Sequence, residues 1–158
     1  MPTTHHVDCG TVPAMRTWTA HATTEARPED ILAALTDPDR CRDWAPVPFE
    51  VDDDTRRLCT GTRTRVNGRL AGMRVGFDVE VHRADDRYLQ LSARGPVHMD
   101  VDYDVASTSA GTEVTASVSV LPGRGLLSSV MAEATAGLLR AGALSAAVDR
   151  LARVAVAA

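Results

Sequence analysis

Lysine is missing from this chain: all 17 basic residues are arginine. Without an ε-amino group, Schiff-base chemistry and lysine nucleophiles are excluded. The bias fits a GC-rich, actinobacterial-like composition. Aromatics are scarce as well, with two Phe, two Trp and two Tyr, so any core must be built from aliphatic side chains. The three cysteines, Cys9, Cys41 and Cys59, are an odd number at wide spacing and make no disulfide framework. No stretch reaches the about 18 apolar residues of a membrane span, and the first residues show no signal-peptide pattern. A cytoplasmic location is the expectation. Positive charge is in deficit: the net charge is -4 and the isoelectric point about 5.7, against a nucleic-acid partner. No Gly-x-Ser-x-Gly elbow occurs, and Gly123-Arg124-Gly125 lacks the rest of a phosphate loop.

Hydrophobic residues make up 44% of the 158, enough for one domain with a real core. Residues 1–13 are polar and aperiodic and read as a loose leader; 14–157 read as one domain. Met15 to Ala26 is rich in β-branched residues, with Trp18, Ala20, Ala22 and Ala26 on one parity, as in a half-buried strand. Pro28-Glu29-Asp30 opens a short helix carrying Ile31, Leu32 and Leu35, and Asp37 caps a second from Pro38 to about Asp43. Short alternating strands follow: Pro48 to Val51, Thr62 to Leu70, then runs around Phe77, Leu91, Tyr103 and Val118. Turn residues separate them, among them Asp52-Asp53-Asp54, Gly95-Pro96 and Ala110-Gly111, which predicts an antiparallel meander. From Gly125 to about Val156 the period turns helical. Leu127, Val130, Met131, Ala134, Leu138, Ala141, Val148 and Leu151 share a broad face of a helix about 45 Å long. Gly137 and Gly142 lower its intrinsic helix stability by about 1 kcal/mol each relative to Ala, and allow either a bend or a close approach to the sheet.

A sheet with one dry face needs a cover, and only the last helix is long enough to supply it. A twisted sheet curved around one helix leaves space, because one helix does not fill the whole concave side. The inward positions are mostly Ala, Val, Gly and Thr, which predicts open volume rather than a solid core.

The stretch from Ala26-Arg27-Pro28-Glu29 through Asp37-Pro38 to Trp44-Ala45-Pro46 resembles the N-terminal signature of the START-like (SRPBCC) superfamily. Ala110-Gly111-Thr112-Glu113-Val114 is similar to its Gly-Thr-Glu turn. The resemblance implies an α+β helix-grip, Bet v 1-like fold: a curved antiparallel sheet wrapped around a long C-terminal helix, with two short helices after the first strand. It also implies a hydrophobic small molecule, polyketide- or lipid-like, in a cavity between sheet and helix. The alternative it carries is a polyketide cyclase, aromatase or dehydratase, working without metal, nucleotide or other cofactor. None of the family's polar catalytic residues transfers position by position, since the strand arginines have outward parity.

Inward parity and the helical face nominate the lining as Trp18, Trp44, Thr64, Val66, Phe77, Met99, Tyr103, Met131, Ala134 and Leu138. Tyr103 is the one catalytic candidate, because a buried phenol needs a hydrogen-bond partner and can orient a carbonyl. Thr64, Thr24 and Thr135 could each hydrogen-bond a ligand, but all three fit better as filler at the edge of the core. Trp44 serves either as a stacking surface or as an anchor for the helix pair. Asp100, Asp102 and Asp104 do not make a calcium loop, since Val105 and Gly111 stand where Gly and Glu are needed; they form a wet stripe on one strand face. His5, His6, Asp8 and Cys9 are metal ligands by type, but they lie in the leader without a second cluster, so no metal site is assigned. His21, His82 and His98 have outward parity. An edge strand could pair two copies into a homodimer.

Overall fold

The computed structural model describes residues 15–45, 49–51, 56–70 and 72–156. Strand β1 (Arg16–Thr24) is followed by helices α1 (Pro28–Thr36) and α2 (Pro38–Trp44). Six strands come next: β2 (Phe49–Val51), β3 (Arg63–Leu70), β4 (Met73–Ala84), β5 (Tyr88–Arg94), β6 (Val97–Thr108) and β7 (Gly111–Pro122). Two C-terminal helices, α3 (Leu126–Arg140) and α4 (Ala143–Val156), complete the chain. The leader with His5, His6, Asp8 and Cys9, and the Asp52-Asp53-Asp54 turn, lie outside the described residues.

All seven strands form one antiparallel sheet in the order β1-β7-β6-β5-β4-β3-β2. The meander from β2 to β7 follows from short turns, while β1 returns to pair with β7 from Arg16↔Val120 to Thr24↔Thr112. The register between β4 and β5 slips between Val81 and Arg83, leaving His82 as the extra residue. A bulge of this kind bends a strand and increases its twist, and so deepens the concave face.

The concave side buries Val81, Leu89, Tyr103, Val105, Val114 and Val118, and α4 lays Leu144, Val148 and Leu151 against the same cluster. Two motif regions hold this arrangement. Thr112 Oγ1 donates to Ala26 O at 2.6 Å, tying the β6–β7 turn to the start of α1. Gly111 sits at φ 137, and a Cβ there would stand 2.4 Å from Thr24 O. The motifs that carry the family resemblance therefore act here as pins between chain segments. Asp37 caps α2 by accepting from Asp39 N at 3.0 Å, as its sequence position requires.

The helical segment has the expected extent but is two helices, not one. Gly142 adopts φ 91, where a residue with a Cβ is strained, and the chain turns there. The break tilts α3 away from the line of α4. As a result Leu127 and Val130, expected on the dry face, are exposed, and the buried residues of α3 are Met131, Ala132, Thr135 and Ala136.

Candidate functional site

Between the concave face and the helices lies a cavity of about 340 Å³. Its floor comes from Val79 of β4, Leu91 of β5 and Val101 of β6. Leu35 and Cys41 of the short helices and Leu139 and Leu144 of the C-terminal pair form the other side. The wall is almost entirely hydrocarbon, because each strand sends alternate residues inward and those residues are aliphatic.

Trp44, Thr64, Val66, Phe77, Met99, Tyr103 and Leu138 of the nominated residues line this space. Trp18, Met131 and Ala134 do not. Trp18 lies on β1, along which α4 packs, and is half-buried against the main cluster. Met131 is fully buried against Val75 and Val97 in a second, smaller cluster, with Ala134 packed beside it. The tilt of α3 turns these two side chains into the end of the sheet rather than over its middle. Leu35, Cys41, Phe49 and Leu58 line the cavity without having been nominated. Strand parity carries no information about the short helices and loops that supply most of them.

The polar groups on the wall are few. Trp44 donates its indole N–H to Ala34 O at 3.1 Å and meets Tyr103 edge-on, with ring centroids 5.9 Å apart. It is thus both anchor and wall. The Cys41 thiol donates to Leu35 O at 3.3 Å, and burial, reinforced by Asp37, pushes its pKa up to about 12. A thiol held protonated in this way is not a nucleophile. Burial, and secondarily the nearby Cys41, also raises the pKa of the Tyr103 phenol, so it stays neutral and can donate but not abstract a proton. Among the described residues its hydroxyl has no hydrogen-bond partner. Thr64 Oγ1 is buried without a partner too, whereas Thr135 Oγ1 donates to Met131 O at 2.8 Å. Thr24, off the cavity, donates to Ala152 O at 3.3 Å.

Thr64 and Tyr103 do not converge. The ladder Thr64↔Val79, Val79↔Ala93, Ala93↔Met99 sets Thr64 level with Met99. Tyr103 lies four residues farther along β6, an offset of about 13 Å. One reacting atom cannot touch both.

The convex face carries the ionisable groups. A trough there contains the pairs Arg63–Glu80 at 3.3 Å and Arg65–Asp78 at 3.0 Å, which satisfy each other in solvent. His82 Nε2 lies 2.6 Å from Ser92 Oγ, Ser92 donates to Asp100 Oδ1 at 2.8 Å, and His98 Nε2 is 3.1 Å from the same oxygen. In a nucleophilic triad the acid orients the imidazole. Here it holds the serine proton instead, which leaves the hydroxyl unactivated. Burial alone would raise Asp100, but the hydrogen bonds from Ser92 and His98 outweigh it and hold the carboxyl below its usual range. Asp102 is raised, by burial and then by Asp100, and Asp104 pairs with Arg87 at 3.0 Å. No cluster of three or more metal-ligating side chains occurs among the described residues, and none of their helices is long and apolar enough to cross a membrane.

No family model matches the sequence, and no curated protein sequence does. Solved structures match it clearly. Protein CV1439 from Chromobacterium violaceum superposes with a TM-score of 0.64 at 16% identity, over 88% of this chain and 96% of that one. Ara h 8.0201, a protein of the Bet v 1 type, gives 0.63 at 11% identity, over 92% and 100%. The fold is the helix-grip, Bet v 1-like one. DynU16, from the dynemicin biosynthetic locus, shares the helix-grip fold at a TM-score of 0.57 and 25% identity, over 87% of this chain and 46% of that one.

Proposed function

We propose that this helix-grip protein binds a hydrophobic small molecule, polyketide- or lipid-like, inside the cavity between the sheet and the C-terminal helices. The observation that carries the reading is an open volume of about 340 Å³ behind an aliphatic wall, in a chain with too few aromatics to fill it. That volume is at the small end of ligand sites, about 300 to 1,000 Å³. A neutral molecule fits it better than an ion, since the wall is almost entirely hydrocarbon and its one charged residue, Arg69, is exposed to solvent. Tyr103 supplies the orienting contact: its free hydroxyl donates to a ligand carbonyl or hydroxyl.

The alternative, a polyketide cyclase, aromatase or dehydratase, draws support from the Tyr103 phenol and from the locus of DynU16. It requires a second group close to Tyr103 to take a proton. The cavity wall carries no carboxylate or imidazole among the described residues, and Thr64 is offset as given above. Binding without turnover is therefore the reading that the chemistry of the wall favours.

The test is organic extraction of purified protein followed by mass spectrometry, with displacement of a fluorescent apolar probe as the affinity readout. Tyr103→Phe is expected to weaken binding of the extracted compound about tenfold while leaving the fold intact. An extract free of small molecules together with failure to take up the probe removes the proposal. Conversion of the compound to a new product, lost in Tyr103→Phe, replaces it with the enzymatic reading.

A further inference from the structure

Four apolar side chains left outside the core, Met73, Leu126, Leu127 and Val130, lie at one end of the molecule, and four arginines without an ion pair lie with them. In the antiparallel sheet, the β3–β4 hairpin, the β5–β6 turn and the link from β7 to α3 emerge at the same end. A Cβ on Gly95 would stand 2.5 Å from Gly76 O, and one on Gly123 3.3 Å from Pro96 O, so the three segments touch. Residues 67–77, 93–99 and 119–132 contain Arg69, Arg74, Arg94 and Arg124 and not one Asp or Glu, in a chain whose net charge is -4. All four arginines are exposed, and among the described residues none forms an ion pair, unlike Arg63, Arg65, Arg83 and Arg87 elsewhere on the sheet; Asp78, opposite Arg94 in register, bonds Arg65 instead. Arg69 and Arg74 even stand directly opposite each other across the hairpin, an arrangement that costs stability unless an anion relieves it. The one acid of α3, Glu133, is taken up by Arg16 at 3.1 Å and Arg140 at 3.7 Å.

Beside these cations, Leu126 is 82% exposed, Leu127 56%, Val130 51% and Met73 45%. They protrude from a helix end and a hairpin. They are aliphatic, with no Trp or Tyr among them of the kind that anchors protein–protein contacts. Protruding aliphatics ringed by cations suit a soft apolar medium with a negative surface. We infer that this end of the molecule docks on an anionic lipid bilayer, with Leu126, Leu127, Val130 and Met73 entering the headgroup–acyl boundary and the arginines against lipid phosphates. Leu138, one helical stripe farther along α3, is half-exposed and also lines the cavity. The inference stands whether or not the cavity holds a lipid.

Sedimentation of the full-length protein with vesicles tests it, using phosphatidylcholine alone and an equal mixture of phosphatidylcholine and phosphatidylglycerol. The protein is expected to sediment with the anionic vesicles only and to be released by high salt. Arg74→Gln and Arg124→Gln should each weaken binding about fivefold. Leu126→Ser with Leu127→Ser should abolish it while the circular dichroism spectrum and apolar-probe uptake stay unchanged, since neither leucine is in the core or on the cavity wall. No binding to the anionic vesicles, or binding indifferent to salt and to all four substitutions, overturns the inference. So does a concentration-dependent dimer, or a complex with an acidic protein, that depends on these residues in a chain that ignores vesicles.

Discussion

Thr64 Oγ1 is buried on the cavity side of β3 with no partner, which leaves a hydroxyl without a hydrogen bond. Valine has nearly the same shape and no such group. Thr64→Val is therefore expected to stabilise the folded protein by about 1 kcal/mol, read as a higher urea midpoint at unchanged slope. A fall in the midpoint would show that the hydroxyl is satisfied in solution. The parity of β3 places Thr64 on the dry side, and the sequence supports that much. Whether a dry hydroxyl finds a carbonyl depends on neighbours a strand away, which alternation does not encode. Tyr103 repeats the lesson: its burial follows from Val101 and Val105 on either side, while its edge-on contact with Trp44 joins residues far apart in the chain.

Among the elements, the strands were the most legible, because turn residues bracket them and each shows one dry face. The C-terminal helix was legible in length but not in continuity. Gly137 and Gly142 look alike in sequence, yet Gly137 sits inside α3 and Gly142 ends it at positive φ. Only the packing of α4 along β1 decides which glycine yields, and that contact is tertiary. The two special glycines differ in what a methyl group would meet. At Gly142 nothing lies within 4 Å, so Gly142→Ala costs only backbone strain, about 1–2 kcal/mol. At Gly111 the same strain is joined by a clash with Thr24 O at 2.4 Å, and backbone cannot swing aside as a side chain can. Gly111→Ala should cost at least about twice as much. Equal thermal shifts for the two variants would contradict this account.

For the whole molecule, the arrangement is one large cluster under α4 and a small one under α3. The small cluster rests on Val75, Val97, Met131 and Ala132, and α3 otherwise shows much of its length to water. Local opening draws on such thinly packed regions first. Native-state hydrogen exchange should find the α3 amides opening well before those of α4, and a bound cavity ligand should slow α3 more than α4. Uniform exchange across both helices would remove α3 as the way in. The cavity itself was foreseeable from the sheet-plus-helix order and the small inward residues. Its exact wall was not, since α1, α2 and the tilt of α3 set it, and these answer to packing rather than to period.

The pairing of β1 with β7 joins Arg16 to Val120. A chain emerging from the ribosome N-terminus first thus holds its opening strand in hand until its penultimate elements arrive. Such distant partners raise the loop-closure cost of the folding nucleus and slow it. The unfinished sheet meanwhile offers the bare edges of β1 and β6, so truncation before Gly111 should leave an aggregating fragment rather than a smaller domain.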